Sequence, residues 1–427
     1  MLQCKTKWKK EKLGDLILFL RNGISNEQVD IYTDFPVTRI ETIADGKIDY
    51  NRVGHVEKAP EDYRISQGDI LVSNINSQKH IGKVAIKDDD KVLYHGMNLL
   101  LMRPNEIIDS KFLFYVLNYN KQYFERIASP AVNQSSINQT DMQKMEFIIP
   151  KDKVEQTEIA DILSTCDEVI EKTEETIEKY KQIKAGMMQD LFTRGLDANG
   201  KLRPTYTQAP DLYKYSEELD RYIPKDWDVK PLEEYTTLIK DGTHGTHKDI
   251  PNGIPLLSAK DIQDGEIIIP NDCRTISQLD YNSIHKSYNI DVNDVLLTIV
   301  GTIGRVAIVK NIEKLFTFQR SVAIIKLVNP NFASYFYYYL LYENTQKQLL
   351  TMMNASAQGG LYLGQLANVI ITMPKDEDEI NNIFNYLNQM DSKIKLEEQY
   401  LNKYKQIKQG LMKRLLTPPA DAEIVEE

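Results

Sequence analysis

The chain has 427 residues, of which 42% are hydrophobic and 27% charged. This composition is ordinary for a globular protein, and the length allows two domains with separate cores. The three cysteines lack CxxC spacing, the N-terminus MLQCKTKWKKEK has no apolar signal region, and no segment approaches a membrane span of roughly 18 apolar residues. We therefore expect a cytoplasmic protein without disulfides or a zinc site.

The net charge of −10 argues against a simple nucleic-acid-binding protein, but the charge is unevenly distributed. Residues 1–150 carry 20 Lys and Arg against 20 Asp and Glu, a net charge of 0. Residues 223–374 carry 13 against 15, a net charge of −2. If these parts bind DNA, we expect them to use local patches or the help of another subunit.

Residues 1–150 are predicted to form a mixed domain of strands and helices. Short β-rich runs separated by Gly-containing turns predict strands, at residues 36–40, 69–73, 83–86 and 147–149. A helix with one aromatic face is predicted from Ser110 to Ile127. Its tyrosines, including Tyr115, have the spacing of a packed helical face, which favours a role in the core.

Residues 151–194 are predicted to form a long helix, because apolar residues recur at steps of four and three and no proline interrupts them. The pattern is repeated at residues 375–417, where adding 224 to each number aligns the two segments without a gap and about 19 of 44 positions are identical. In both copies the predicted pattern has one irregular step directly after a tyrosine. In the first copy this step leads from Tyr180 to Ile183. The predicted helix-pairing residues are Ile159, Leu163, Ile170, Ile177, Tyr180, Ile383, Leu387, Ile394, Leu401 and Tyr404.

Residues 195–222 are polar, rich in Gly, Pro and Tyr, and without periodicity, which predicts a linker. Residues 223–374 then repeat the first domain, with loops of different length: IPLL at 254–257 corresponds to FPVT at 35–38, and the aromatic helix returns around Tyr337. Residues 418–427 are an acidic tail. The fold class is therefore predicted to be α+β, with two similar mixed α/β domains joined by two long helices. Because both helical segments share one pattern, we expect the two helices to pack together in one register.

The sequence contains no convincing set of catalytic residues. NPPY-type or DPPF-type methyltransferase motifs, a Walker A sequence and a glycine-rich dinucleotide loop are all missing. His244 and His247 lie in a Gly/Thr loop with no third ligand nearby in sequence, which makes a metal site unfavourable. We therefore expect a protein without enzymatic activity that binds no cofactor or metal.

The order and duplication of these segments resemble the specificity subunit of a type I restriction–modification system. The motifs that carry the resemblance are IPKDW at 223–227, DGTHGTH at 241–247, VGTIGRVAI at 300–308, QGGLYLGQL at 358–366 and the two KYKQIK helices. The first half departs from this pattern, with RNGIS at 21–25 in place of DGTHG. The resemblance covers nearly the whole chain.

The resemblance implies that each domain is a target-recognition domain for one half of a bipartite, asymmetric DNA site. It also implies that the two long helices form an antiparallel coiled coil and give the chain pseudo-two-fold symmetry. These paired helices would set the spacer between the half-sites. Two methyltransferase subunits using S-adenosylmethionine would methylate adenine N6, and motor–nuclease subunits using ATP and Mg would cut unmodified DNA. The alternatives are a specificity module of another methyltransferase-based defence system and a coiled-coil scaffolding adaptor that does not bind DNA.

Loops rich in hydrogen-bonding side chains are the candidate DNA contacts, since amide, hydroxyl and basic groups recognise base edges and phosphates. The candidates are Asn74, Asn76, Ser77, Gln78, Lys79, His80, Lys83, Gln134, Thr243, His244, Thr246, His247, Lys248, Thr302, Arg305, Gln319 and Arg320. The alternative for each is an ordinary solvated turn. The DNA sequence of the target does not follow from these residues, because each base contact depends on the conformation of its loop.

Overall fold

The structure, a computed structural model, describes residues 7–44, 46–76, 81–97, 99–131, 134–354, 359–420 and 422–425. It divides into two compact units, and each unit contains part of both long helices. Unit 1 comprises Met1–Glu174 and Gln399–Glu427, and unit 2 comprises Glu175–Glu398. The predicted fold class is confirmed: the chain is α+β, with two similar mixed domains and two long helices.

Unit 1 contains short strands, short helices and 3₁₀ turns in addition to its parts of the long helices. Its strands are Lys7–Lys12, Ile17–Asn22, Pro36–Val37, Ile43–Ala44, Lys47–Ile48, Gly54–His55, Ile70–Val72, Ile75–Asn76, Val84–Ile86, Leu100–Pro104, Ser129–Ala131, Gln134–Ser136, Glu146–Pro150 and Glu423–Val425. Its α-helices are Ser110–Tyr119, Lys121–Ile127 and Gln139–Gln143. The single helix predicted from Ser110 to Ile127 is therefore two helices, because Asn120 leaves helical geometry at ψ 23°.

Unit 2 repeats this architecture. Its strands are Tyr213–Ser216, Arg221–Pro224, Trp227–Pro231, Thr236–Asp241, Ile254–Leu257, Ile262–Gln263, Glu266–Ile267, Thr275–Ile276, Val295–Thr298, Val306–Ile308, Thr317–Phe318, Val322–Leu327 and Ile370–Pro374. Its α-helices are Gln278–Ile284, Ala333–Leu341, Glu343–Asn354 and Leu363–Ala367. The helix Ala333–Leu341 contributes four buried aromatic residues to the core of the unit.

The central sheets of the two units have the same strand order. In unit 1 the order is 17–22, 100–104, 70–72, 84–86, and in unit 2 it is 236–241, 322–327, 295–298, 306–308, with every neighbouring pair antiparallel. In each unit, the strand that carries the tryptophan also pairs with the strand that precedes a long helix. Trp8 lies opposite Pro150 and Trp227 opposite Pro374. The duplication seen in the sequence is thus a duplication of fold.

The first long helix is Lys153–Leu191 and the second long helix is Glu377–Leu415, each of 39 residues. Their ends differ by the same 224 residues as the two sequence segments. Within unit 1, Glu174 pairs with Lys405 at 2.7 Å, and within unit 2, Lys181 pairs with Glu398 at 3.3 Å. Asp167 also pairs with Lys408 in unit 1, and Lys184 also pairs with Asp391 in unit 2. In each unit, residue numbers rise along one helix as they fall along the other, so the two helices run antiparallel there.

The irregular step assigned to the heptad pattern after Tyr180 is wrong. Ile183 is 40% exposed, whereas the Lys184 side chain is only 18% exposed. The steps from Tyr180 to Lys184 and on to Met187 are four and three, so the heptad pattern continues regularly. Lys184 then occupies one position of the seam, the row of residues on each helix that faces the partner helix. Ile407 in the second helix is exposed in the same way, and Lys408 takes the seam position.

The segment 195–222, predicted as a linker, connects the first long helix to the second domain but is ordered within unit 2. Gly195, four residues after the end of the helix, has φ of +64°, and strands Tyr213–Ser216 and Arg221–Pro224 form a hairpin. Arg203 donates two hydrogen bonds to Glu379, at 2.6 and 2.9 Å. The segment is therefore fixed to the start of the second long helix by a buried ion pair.

The predicted acidic tail also contains regular structure. Residues Glu423–Val425 form a strand that pairs parallel with Lys7–Lys9 in unit 1. The outer edge of the strand that carries Trp8 is thereby covered by the end of the chain.

Candidate nucleic-acid interface

The DGTHGTH loop follows strand Thr236–Asp241 and lies against the segment that contains Gln319 and Arg320. The Thr243 N–H donates to the Phe318 carbonyl at 2.8 Å, and the Arg320 N–H donates to the Thr243 carbonyl at 3.1 Å. These two candidate segments are about 75 residues apart in sequence. The structure brings them together into one surface, which we call the unit 2 loop surface (residues 241–248 and 319–320).

Part of this loop is held in place by its own side chains. His247 Nε2 lies 2.8 Å from Thr243 Oγ1, and His247 Nδ1 lies 3.1 Å from Asp280 Oδ1. The Arg274 guanidinium donates to the His247 carbonyl at 2.7 Å. Hydrogen bonds from Ser277 and then from His247 hold the pKa of Asp280 below its usual value, so the carboxylate stays charged beside the imidazole. Thr243 and His247 therefore order the loop.

Four polar residues of the unit 2 loop surface are exposed to solvent: His244, Thr246, Lys248 and Arg320. The His244 ring contacts Asp241, with Nε2 and Oδ2 2.5 Å apart. An imidazole, a hydroxyl, an ammonium and a guanidinium are all groups that hydrogen-bond to phosphates or base edges. The loop thus combines a fixed inner part with an exposed polar outer part.

The Gly301–Arg305 turn divides in a similar way. Thr302 is exposed, whereas Arg305 is half-buried and donates to the Ile262 carbonyl at 3.1 Å. Arg305 also lines a cavity of about 430 Å³ together with Gly265 and Tyr337. The guanidinium is therefore engaged by the main chain of its own unit, and Thr302 is the outward-facing residue of the turn.

In unit 1 the structure places two candidate segments side by side, since strand Ile75–Asn76 pairs with strand Gln134–Ser136. Asn74 is buried and donates weakly to the Ile137 carbonyl at 3.4 Å. Lys83 is half-buried. The candidates Ser77, Gln78, Lys79 and His80, together with the side chains of Asn76 and Gln134, lie outside the described residues.

The predicted helix-pairing residues lie on the inner faces of the long helices. Ile159 and Leu163 belong to the core of unit 1, and Leu411 and Leu415 of the second long helix pack against it. Ile383 and Leu387 belong to the core of unit 2, together with Leu191 of the first. Ile177 and Ile394 are buried in unit 2. The remaining predicted residues are half-buried, namely Ile170, Tyr180, Leu401 and Tyr404.

Comparison with known proteins agrees with this duplicated architecture. The model of the type I restriction modification DNA specificity domain matches the chain twice, at residues 5–182 and 224–406. The chain belongs to this family. The protein named as the type I restriction enzyme MjaX specificity subunit of Methanocaldococcus jannaschii is 32% identical over 427 residues, covering 96% of this chain and 93% of its own length.

Two solved structures share the specificity-subunit fold. The type I restriction–modification S subunit from M. genitalium aligns with a TM-score of 0.60 at 18% identity, covering 98% of this chain and 99% of its own. A chain from a study of complex assembly in the type I system aligns with a TM-score of 0.55 at 15% identity, covering 96% and 97%. In the part of the chain that the structure describes, no helix combines the length and apolarity needed to cross a membrane.

Proposed function

We propose that this chain is the DNA-specificity subunit of a type I restriction–modification complex. In this proposal, each recognition domain binds one half of a bipartite, asymmetric target. The observation that supports it most strongly is the duplication: the two units keep one sheet order while their loops differ in length and sequence. One scaffold with two different loop sets is suited to binding two different short DNA sequences.

The unit 2 loop surface is proposed to contact DNA through its exposed residues His244, Thr246, Lys248 and Arg320. Basic and hydroxyl side chains on a loop can reach both phosphates and base edges in the major groove. Thr243 and His247 are proposed to keep this loop in its binding conformation. In unit 1, the paired segments around residues 75–76 and 134–136 are also proposed to contact DNA.

The two long helices are proposed to set the number of base pairs between the half-sites. Each has 39 residues and is therefore about 58 Å long. In a protein with two recognition modules, the spacing between half-sites is set by the rigid connection between the modules. The catalytic work would fall to partners: methyltransferase subunits with S-adenosylmethionine, and motor–nuclease subunits with ATP and Mg.

The near-neutral recognition domains are proposed to bind DNA weakly without these partners. Contacts that neutralise phosphates supply most of the affinity of many DNA-binding proteins, and residues 1–150 and 223–374 have net charges of only 0 and −2. Electrophoretic mobility shift assays at physiological salt should show little specific binding by the chain alone. Adding the methyltransferase subunit should strengthen it. A nanomolar specific affinity of the isolated chain would contradict this part of the proposal.

Mapping of methylated bases tests the proposed function directly. The chain and its methyltransferase would be expressed in a host without other adenine methylation, and N6-methyladenine would be located by long-read sequencing. We expect a bipartite motif with a methylated adenine in each half and a spacer of fixed length. Omitting the chain should abolish the motif. A continuous palindromic motif, or no methylation, would contradict the proposal.

A further inference from the structure

A lysine, an aspartate and a tyrosine form the same cluster in both units. In unit 2, Lys184 donates to Asp391 Oδ1 at 2.6 Å, and the Tyr338 hydroxyl donates to Asp391 Oδ2 at 2.7 Å. The Lys184 ammonium also lies 5.1 Å from the centre of the Tyr338 ring. We call this arrangement the unit 2 Lys–Asp–Tyr cluster (Lys184, Asp391 and Tyr338).

Unit 1 contains a matching unit 1 Lys–Asp–Tyr cluster (Lys408, Asp167 and Tyr115). Lys408 donates to Asp167 Oδ1 at 2.5 Å, and the Tyr115 hydroxyl donates to Asp167 Oδ2 at 2.7 Å. The Lys408 ammonium lies 5.6 Å from the centre of the Tyr115 ring. Adding 224 to Lys184 gives Lys408, and adding 224 to Asp167 gives Asp391. In unit 2 the first long helix supplies the lysine and the second supplies the aspartate, whereas in unit 1 the second supplies the lysine and the first the aspartate.

Each cluster connects three elements: both long helices and the aromatic helix of one domain. In unit 2, Lys184 comes from the first long helix, Asp391 from the second, and Tyr338 from helix Ala333–Leu341. One carboxylate oxygen of Asp391 accepts from Lys184 and the other from Tyr338. The same aspartate therefore fixes the register of the helix pair and the position of the domain on it. Burial and the bond to Asp391 raise the pKa of Tyr338, which keeps the hydroxyl protonated as a donor.

The lysine of each cluster lies on the face along which the two long helices pack, where a polar residue fixes their register. Lys184 and Lys408 occupy seam positions that an apolar residue would fill in a uniform heptad pattern. Their side chains are only 18% and 24% exposed. A polar residue at one seam position fixes register, because any shift leaves it buried without its partner. By contrast, the Lys181–Glu398 pair in unit 2 is about half exposed and joins only the two helices.

We propose that the two Lys–Asp–Tyr clusters are positioning sites that hold each recognition domain at one place on the helix pair and thereby restrict the spacer to one length. This inference rests on the proposed function. It assigns spacer selectivity to six residues, none of which belongs to the loops proposed to contact DNA. Loss of a cluster is expected to broaden the accepted spacer while leaving both half-site sequences unchanged.

The test uses the chain in complex with its methyltransferase and a DNA library with fixed half-sites and spacers of varied length. Tyr338→Phe removes one hydroxyl and keeps the ring, and Lys184→Met removes the charge and keeps the length of the side chain. A hydrogen bond to a charged group contributes roughly a tenfold to hundredfold factor to an equilibrium. We therefore expect discrimination against spacers one base pair too long or too short to fall about tenfold in either variant.

Three controls make the result specific. Lys184→Arg keeps the charge and should retain most of the selectivity. Lys181→Ala removes the ion pair that joins only the helices and should leave the spacer distribution unchanged. Tyr115→Phe, the matched change in unit 1, should broaden the distribution as Tyr338→Phe does.

Several outcomes would overturn the inference. One is an unchanged spacer distribution in Tyr338→Phe and Tyr115→Phe, the mildest variants. Another is equal broadening by Lys181→Ala, which would attribute the effect to general loosening of the helix pair. A wild-type complex that methylates no bipartite site would instead contradict the proposed function. The two failures can thus be distinguished.

Discussion

The buried ion pair between Arg203 and Glu379 should be a main source of stability in unit 2. Glu379 Oε1 accepts hydrogen bonds from Arg203, from the Leu196 N–H at 2.8 Å and from the Trp227 indole at 3.2 Å, and Oε2 accepts one from Arg203. The Glu379 side chain is 4% exposed. Replacing Arg203 with methionine would leave this carboxylate buried without its cation.

Removing one partner of a buried ion pair costs about 3–5 kcal/mol, because the remaining charge stays in a medium of low polarity. A protein of this size unfolds in urea with a slope of roughly 2–3 kcal/mol per molar. Arg203→Met should therefore lower the urea midpoint of unit 2 by about 1–2 M. Lys230→Ala is the matched control, since its pair with Glu234 is about half exposed and should contribute less than about 0.5 kcal/mol.

Tryptophan fluorescence can follow the two units separately. The chain has two tryptophans, Trp8 in unit 1 and Trp227 in unit 2, and both are buried. In a Trp8→Phe background, urea titration followed by fluorescence reports unit 2 alone. A midpoint for Arg203→Met that equals that of Lys230→Ala would refute the structural role assigned to the ion pair.

Three further predictions concern pH, the loop surface and the helices. Burial lowers the pKa of His95 to about 4 from 6.5, so the folded protein favours the neutral ring. The free energy of unfolding should fall by about 3 kcal/mol as the pH drops from about 6.5 to 4, and His95→Gln should lose this dependence in urea titrations across that range. His247→Ala should lower methylation of the cognate site about tenfold by disordering the loop. Lys248→Ala should instead weaken DNA binding uniformly across sequences and reduce the slope of log K against log salt concentration by about one. Ile177→Ala should cost about 2–4 kcal/mol by calorimetry, and Ile183→Ala, at an exposed position, less than about 1 kcal/mol; equal costs would contradict the corrected seam.

The architecture was predictable because it is encoded by repetition. An unbroken offset of 224 between the helical segments and the order of matching motifs in the domains indicated two copies of one fold. Both observations need no knowledge of long-range contacts. The structure confirms the fold class, and the long helices begin and end three or fewer residues from the predicted segment ends.

The seam at Lys184 was mispredicted because a heptad pattern is read from apolar residues. Ile183, next to Lys184, is apolar, and assigning it to the seam introduces an irregular step. The partners that make a seam lysine stable, Asp391 and Tyr338, are more than 150 residues away in sequence. A regular pattern that accepts one lysine fits both copies better than an irregular apolar one.

The loop surface was only partly predictable for the same reason. The sequence indicated that 241–248 is polar, but it did not distinguish His247, which orders the loop, from His244, which faces solvent. That distinction depends on Asp280, which follows 33 residues after His247. Arg305 was also predicted as a contact, but the structure shows its guanidinium bound to main-chain carbonyls.

The most direct test of the role proposed for the long helices is to shorten both together and map methylated sites. Deleting residues 171–177 and 395–401 removes one heptad from each helix, about 10 Å, and retains both Lys–Asp–Tyr clusters. We expect a bipartite motif with a shorter spacer and the same two half-site sequences. An unchanged spacer, or altered half-sites, would contradict the claim that the helices set the distance and the domains set the sequence.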